Sequence, residues 1–225
     1  MQNENDELNE TTDSTKNESI SSKSLISFES TTTFSERDEN KKNFNIAITN
    51  ARSLFPKMDS LTAYFCEHNF AMFIVTETWL VDGPELEKGR EDLNDKFKIG
   101  ALTRNRPKVS NRNPGGGIAI IYKKEKVKLE EYPFKKKKYE IMAAKGKIPN
   151  NSRPFFVFAV YFPPKMRVEL VRDAMNLVSE AILKIKTEFS SPYILIGGDM
   201  NGFDLSHMIG DHNDIKILPS PPTRN

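Results

Sequence analysis

Residues 155 to 199 read as strand, helix, strand, and that run limits the possible folds more than any other part of the chain. Phe155-Phe156-Val157-Phe158-Ala159-Val160-Tyr161 is apolar or aromatic throughout and closes on Pro163-Pro164. Such a run is a strong strand candidate. From Val168 onward, Val171, Met175, Val178, Ile182, Ile185 and Phe189 recur every three or four residues. That spacing predicts a surface helix of about 22 residues with its apolar stripe on a sheet. Tyr193-Ile194-Leu195-Ile196 then breaks into Gly197-Gly198, a buried strand ending in a tight turn. Asp199 and Asn201 follow at once. A carboxylate and a carboxamide two residues apart at a strand end can act together on one bound group. They also suit an ordinary β-turn, since Gly, Asp and Asn all favour turns.

The upstream chain supplies companions. Phe44 to Asn50 alternates apolar and polar residues and ends on Asn50. Ser53 to Pro56 looks like a helix start, and Met58, Leu61 and Phe65 continue it at helical spacing to Asn69. Cys66 falls in this pattern and reads as a small buried hydrophobe. Ala71 to Val75 is a second buried strand, delivering Glu77, Thr78 and Trp79 to its end, and Asp82-Gly83-Pro84 is a turn. Phe97 to Leu102 reads as a weaker strand, with Arg104, Arg106 and Arg112 in the polar loop after it. Gly115-Gly116-Gly117 precedes a strand, Ile118 to Tyr122, and no Lys-Ser/Thr follows. A hinge or close backbone packing fits this better than a phosphate loop. The lysines at 123, 124, 126, 128 and 135 to 138 suit a solvated hairpin or contact with a phosphate backbone. Apolar strands covered by intervening helices make a layered α/β domain.

Composition divides the chain. Residues 1–43 are rich in Ser, Thr, Asn and Glu and poor in apolar side chains, as a disordered tail would be, and residues 44–225 form the domain. Residues 1–40 hold ten acids and three bases, the remainder 21 acids and 30 bases. The mild net charge of +2 thus hides an acidic tail on a basic domain, which suits a polyanionic partner. A single cysteine rules out an internal disulfide and any multi-cysteine zinc site. No apolar run approaches transmembrane length, so a reducing, intracellular compartment without a membrane partner is expected.

Four strand ends therefore carry polar groups: Asn50, Glu77, Tyr161, and Asp199 with Asn201. Parallel strands in one sheet would bring these ends to one edge, where α/β proteins bind ligands. The chemistry is coherent around Mg2+, which is held by one or two carboxylates with water and substrate phosphate. Glu77 can supply the carboxylate, and Asn50 can ligate the ion or orient Glu77. Asp199 can deprotonate or orient an attacking water. Asn201 can bond a phosphate oxygen and Tyr161 can stabilise the charge that develops there. Singly, Glu77 is as readily a surface acid and Tyr161 a sheet residue; the set carries the reading.

The same pieces resemble the endonuclease/exonuclease/phosphatase superfamily of DNase I-like fold, and within it the endonuclease domain of LINE-type, non-LTR retrotransposons. In the order of that family they are Thr49-Asn50-Ala51-Arg52-Ser53-Leu54 with Lys57; Thr76-Glu77-Thr78-Trp79-Leu80; Arg104 before Gly115-Gly116-Gly117-Ile118-Ala119-Ile120; Tyr161-Phe162-Pro163-Pro164; Gly198-Asp199-Met200-Asn201; and Pro222-Thr223-Arg224. The resemblance spans about residues 45–225 and implies a four-layered α/β sandwich. It implies a phosphodiesterase dependent on Mg2+, with Mn2+ as a substitute, that nicks DNA to leave a primer end for a reverse transcriptase in the nucleus. It assigns Asn50 and Glu77 to the metal. Tyr161, Asp199 and Asn201 serve the phosphate and the water, and Arg104 and Thr223 lie near the substrate. Met200 replaces the commoner Phe, a tolerable apolar exchange. Alternatives within the fold are an abasic-site repair nuclease or a phosphoinositide phosphatase. A non-catalytic nucleic-acid-binding remnant lies outside enzymology altogether.

The family pattern continues past Pro-Thr-Arg with an Asp-bearing strand and a Ser-Asp-His motif, whereas this chain stops at Asn225. Gly210-Asp211-His212 reads as a loop, and neither His68 nor His207 suggests a ligand. The resemblance therefore implies a domain incomplete at its C-terminus, inactive or impaired as it stands, with exposed sheet surface. Residues 1–225 are expected to be poorly soluble or partly molten; a sharp cooperative melt of the monomer would decide against that.

Overall fold

The computed structural model describes residues 31–34, 44–81, 84–104, 115–134, 139–205 and 215–219. Two five-stranded sheets account for most of it. The first is built from β1 (Thr31–Phe34), β2 (Phe44–Asn50), β3 (Met72–Thr76), β4 (Ile99–Arg104) and β5 (Ile118–Lys123), in the order β1-β2-β3-β5-β4. The second contains β6 (Lys128–Glu131), β7 (Glu140–Lys147), β8 (Phe155–Tyr161), β9 (Tyr193–Asp199) and β10 (Ile215–Pro219), in the order β10-β9-β8-β7-β6. A short 3-10 helix (Phe55–Lys57), α1 (Met58–Glu67) and α2 (Pro84–Phe97) belong to the first half, and α3 (Val168–Glu188) to the second.

Side-chain parity explains the layering, because neighbours along a strand face opposite sides. In β8 the odd positions Phe155, Val157, Ala159 and Tyr161 enter an apolar layer between the two sheets. The even positions Phe156, Phe158 and Val160 pack instead with Val171, Met175, Val178, Ile182 and Ile185 of α3. β3 is split in the same way: Met72 and Ile74 face the other sheet, while Phe73 and Val75 meet Leu61 and Phe65 of α1. Both faces of each central strand are dry, which is why these strands read as unbroken apolar runs. Helix, sheet, sheet, helix make the expected four-layered α/β sandwich. Among the described residues no helix is long and apolar enough to cross a membrane.

The strands that end in candidate site residues are not in one sheet, as sequence suggested, but in two. β2 and β3 run parallel in the first, with Asn50 opposite Thr76; β8 and β9 run parallel in the second, with Tyr161 opposite Asp199. Stacking the sheets brings both pairs of ends to one rim. The first sheet also reaches into the expected tail, since β1 pairs antiparallel with β2. Phe97, read as opening a strand, instead ends α2, and Arg104 is the last residue of β4 rather than part of the following loop. Cys66 is exposed, one residue past Phe65, which takes the sheet-facing position on α1. Thr223, Arg106, Arg112, His207, His212 and Lys135 to Lys138 lie outside the described residues.

Phe73 is fully buried, with edge-on contacts to Phe65 and Phe70. Phe73→Ala is expected to cost about 3–5 kcal/mol in urea unfolding. Leu183→Ala on α3, at a residue 68% exposed, should change stability by no more than about 0.5 kcal/mol.

Candidate active site

The apolar layer between the sheets ends in a polar row. Asn50 follows Ile46 and Ile48 on the inner face of β2, Tyr161 follows Ala159 on β8, and Asp199 follows Leu195 on β9 at the same parity. The row caps the dry interior where the chain must leave each strand for a loop. Glu77 stands one residue beyond β3 with φ of 50°, so the backbone has already turned away from the strand.

One side chain ties the row together. Asn50 Nδ2 donates to Glu77 Oε1 and to Asp199 Oδ2, at 2.8 Å each, joining positions 149 residues apart in the chain. Its Oδ1 accepts from the Arg52 amide at 3.1 Å, which fixes the amide so that its N–H groups face the acids. Tyr161 donates its hydroxyl to Glu77 Oε1 at 3.2 Å. Burial, chiefly, pushes the Tyr161 phenol well above its ordinary pKa; the charge of Glu77 and its hydrogen bond add to this, followed by the charges of Glu140 and Asp199. Tyr161 is thereby held as a neutral donor. Asp199 is only 3% exposed; its Oδ1 accepts from the Asn201 amide at 3.0 Å. Asn201 turns its side-chain Nδ2 to the Phe162 carbonyl at 2.6 Å, fixing the exit of β8, and its second amide hydrogen makes no bond among the described residues.

The loops at this rim are strained. Arg52, Ser53, Glu77, Trp79 and Asn201 all have positive φ, half of the non-glycine residues that do so among the described residues. Each such residue costs on the order of 1–3 kcal/mol and needs external restraint. Backbone bonds supply it: Ala51 to Thr76, Ser53 to Glu77 and Leu54 to Thr78, each 2.9 Å, lace the two loops together. Lys57 adds its ammonium to the carbonyls of Ala51 and, at 3.2 Å, Arg52.

Two neighbours complete the rim. Glu140, at the start of β7, lies opposite Tyr161 in register and accepts the Gly117 amide at 2.6 Å. The Arg104 guanidinium donates to the Ile141 carbonyl; burial lowers its pKa, and the nearby Glu140 charge opposes that shift. Glu140 was missed by sequence reasoning, which followed strand ends only. An antiparallel strand brings its first residue to the same rim.

Two acids bridged by a neutral amide have no Lys or Arg ion-paired to them among the described residues. The donors are all oxygens on the acid side, with neither His nor Cys, which fits a hard divalent cation such as Mg2+. No group of three His, Cys, Asp or Glu side chains suited to an ion occurs among the described residues. Glu77 and Asp199 are two carboxylates, and Mg2+ is commonly held by one or two carboxylates with water and substrate phosphate.

No protein-family model matches the chain, and no curated protein does. Solved structures do match. An endonuclease/exonuclease/phosphatase family protein from Bacteroides thetaiotaomicron superposes with a TM-score of 0.54 at 13% identity, over 74% of this chain and 66% of that one. The human Nocturnin catalytic domain, with bound sulfate anion, gives 0.52 at 13% identity over 70% and 61%. The endonuclease domain of TRAS1, a telomere-specific non-LTR retrotransposon, gives 0.47 at 13% over 72% and 62%. The chain thus covers between 61% and 66% of the length of these structures. The likeness is one of fold.

Asn50→Asp would set a third carboxylate against Glu77 and Asp199. Mutual repulsion raises their pKa values above those of the unfolded chain, so the folded state retains protons the unfolded state has released. Stability then falls as pH rises through the raised values, and each tenfold gain in proton affinity is worth about 1.4 kcal/mol. Urea unfolding in EDTA should show the variant losing more against wild type at about pH 8 than at about pH 5; an equal loss at both would contradict the bridging geometry.

Proposed function

We propose that this chain, which has the DNase I-like fold of endonuclease/exonuclease/phosphatase proteins, is a divalent-metal-dependent phosphodiesterase that nicks DNA. The observation that carries this reading is the Asn50 amide held 2.8 Å from both Glu77 Oε1 and Asp199 Oδ2 at the rim of the sandwich. Glu77 would hold Mg2+, with Asn50 orienting Glu77 as it stands or ligating the ion once its amide turns over, and Mn2+ is the natural substitute. The ion supplies charge to bind a phosphate and to offset the negative charge that builds up in the transition state.

The side chains account for the rest. Asp199 accepts a proton from the attacking water, or orients it, as the new P–O bond forms. A general base contributes roughly 10²- to 10⁴-fold. The bond to the 3′-oxygen breaks and the leaving oxygen takes a proton from solvent, giving a 3′-hydroxyl and a 5′-phosphate. Tyr161, kept protonated by its surroundings, donates toward the oxygen on which charge develops. Asn201 has an amide hydrogen to offer a phosphate oxygen, and Thr223 and Arg104 are assigned to the flanking substrate on sequence pattern alone. The excess of bases over acids beyond residue 40 favours a nucleic acid as the polyanion. The order of motifs from Thr49-Asn50 to Pro222-Thr223-Arg224 favours a retroelement endonuclease, acting in the nucleus beside a reverse transcriptase that extends the 3′-hydroxyl.

Supercoiled plasmid should be nicked by the chain with MgCl2, and EDTA should abolish the reaction. Asp199→Ala and Glu77→Ala should each lower the rate by about 10²-fold or more. DNA binding without nicking would overturn the enzymatic reading in favour of a binding remnant. Phosphate release from inositol phosphates without nicking would overturn the DNA substrate.

A further inference from the structure

We infer that Glu140 is a positioning residue for Glu77, acting through the Gly116–Gly117 turn; its kinetic part rests on the phosphodiesterase reading, its structural part does not. Glu140, Tyr161 and Asp199 stand opposite one another on β7, β8 and β9, on the face turned toward the first sheet. From there Glu140 Oε2 reaches across to accept the Gly117 amide at 2.6 Å. The same two glycines hold the segment after Glu77, because Gly117 O accepts the Thr78 amide at 3.2 Å and Gly116 O accepts the Trp79 amide at 3.0 Å. Glu77 and Trp79 both have positive φ, so this segment keeps its shape only while its partners hold it. The chain of contact therefore runs from a carboxylate in one sheet, through two glycine peptides, to the residue that presents the site acid in the other.

The glycines are required by this contact. A Cβ on Gly116 would lie 2.5 Å from Glu140 Oε1, and one on Gly117 would lie 2.4 Å from Thr78 Oγ1; their φ values are +100° and +89°. Arg104 makes a second bond across the gap: it ends β4 beside Ile118 in register, and donates from the first sheet to the Ile141 carbonyl in the second. Two hydrogen bonds, both donated from the first sheet and accepted in the second, thus stitch the sheets together at the rim, with the Glu140 and Arg104 side chains reaching across from opposite sides. The glycine run, expected from sequence to be a hinge or a place of close backbone packing, receives a carboxylate of this chain at Gly116 and Gly117.

Trp79 is the only tryptophan in the chain, so its emission reports on this segment alone. In the full chain without metal, Glu140→Ala is expected to red-shift Trp79 emission and to increase its quenching by acrylamide. Glu140→Gln keeps an acceptor oxygen for Gly117 and should stay close to wild type. Gly116→Ala, whose Cβ displaces the carboxylate, should reproduce Glu140→Ala and serves if that variant fails to fold. In plasmid nicking, Glu140→Ala should lower kcat by about 10- to 100-fold, the cost of a misplaced catalytic group, and leave KM for DNA near wild type. Wild-type emission and quenching in Glu140→Ala or Gly116→Ala would overturn the inference, as would Glu140→Gln behaving like Glu140→Ala. Absence of nicking by wild type would overturn the proposed function, and the Trp79 measurements would still decide the role of Glu140.

Discussion

The dry layer between the two sheets is the constraint from which the rest follows. Ile46, Ile48, Met72, Ile74, Ile118, Ile120, Val157, Ala159 and Leu195 are all buried in it. Water is excluded along the strands and returns only where they end. A polar residue at the next inward position is then half in and half out of the interior, and must find a partner or face a cost of roughly 1–3 kcal/mol. Asn50, Tyr161 and Asp199 occupy those positions and meet that demand with one another and with Glu77. The site is thus the polar lid of an apolar core, built from two sheets because the core lies between two sheets.

Holding that lid in shape has consequences for the backbone. A strand that ended smoothly would carry Glu77 onward in an extended path. Instead its φ is 50°, and Trp79 two residues later is also left-handed. Such a segment would relax if left alone. Bonds from Ser53 and Leu54 on one side and to Gly116 and Gly117 on the other pin it from both flanks. Restraint from several directions lets Glu77 stay in a conformation that no single interaction would sustain.

How much of this was legible depends on what kind of signal each element emits. β8, α3 and β9 declare themselves because two-sided burial demands unbroken apolar runs and one-sided burial demands a 3.6-residue stripe. α2 sends almost no signal: among its described side chains only Leu93 is buried, and Gly89 interrupts it. β7 hides because Ala143, Ala144 and Gly146 are small, and two lysines break up its apolar pattern. The candidate residues Asn50, Glu77, Tyr161, Asp199 and Asn201 were readable as strand-end groups, and the structure does bring them to one rim. The pairing of strands into two sheets was not readable, since parallel neighbours within each sheet look the same in sequence whether the sheets are one or two. Glu140 escaped for the same reason, as direction relative to a partner strand leaves no trace in the strand's own residues.

The choice of an amide at position 50 bears on what the site can bind. A lysine there could also bridge two carboxylates, and would remove one of the two negative charges in doing so. Asparagine donates to both and cancels neither. The amide thus brings no charge of its own to a setting where a unit charge about 4 Å away is worth on the order of 4 kcal/mol. A phosphodiester, itself anionic, is repelled by such a site unless a cation arrives with it. An arrangement that only served the fold would gain by neutralising the pair; one that recruits a divalent ion gains by leaving the charge in place. Asn50 donates its N–H groups to both acids while its oxygen accepts from Arg52, so it holds the two carboxylates at a fixed spacing. Any direct bond from Asn50 to the metal would require its amide to turn over and release Arg52.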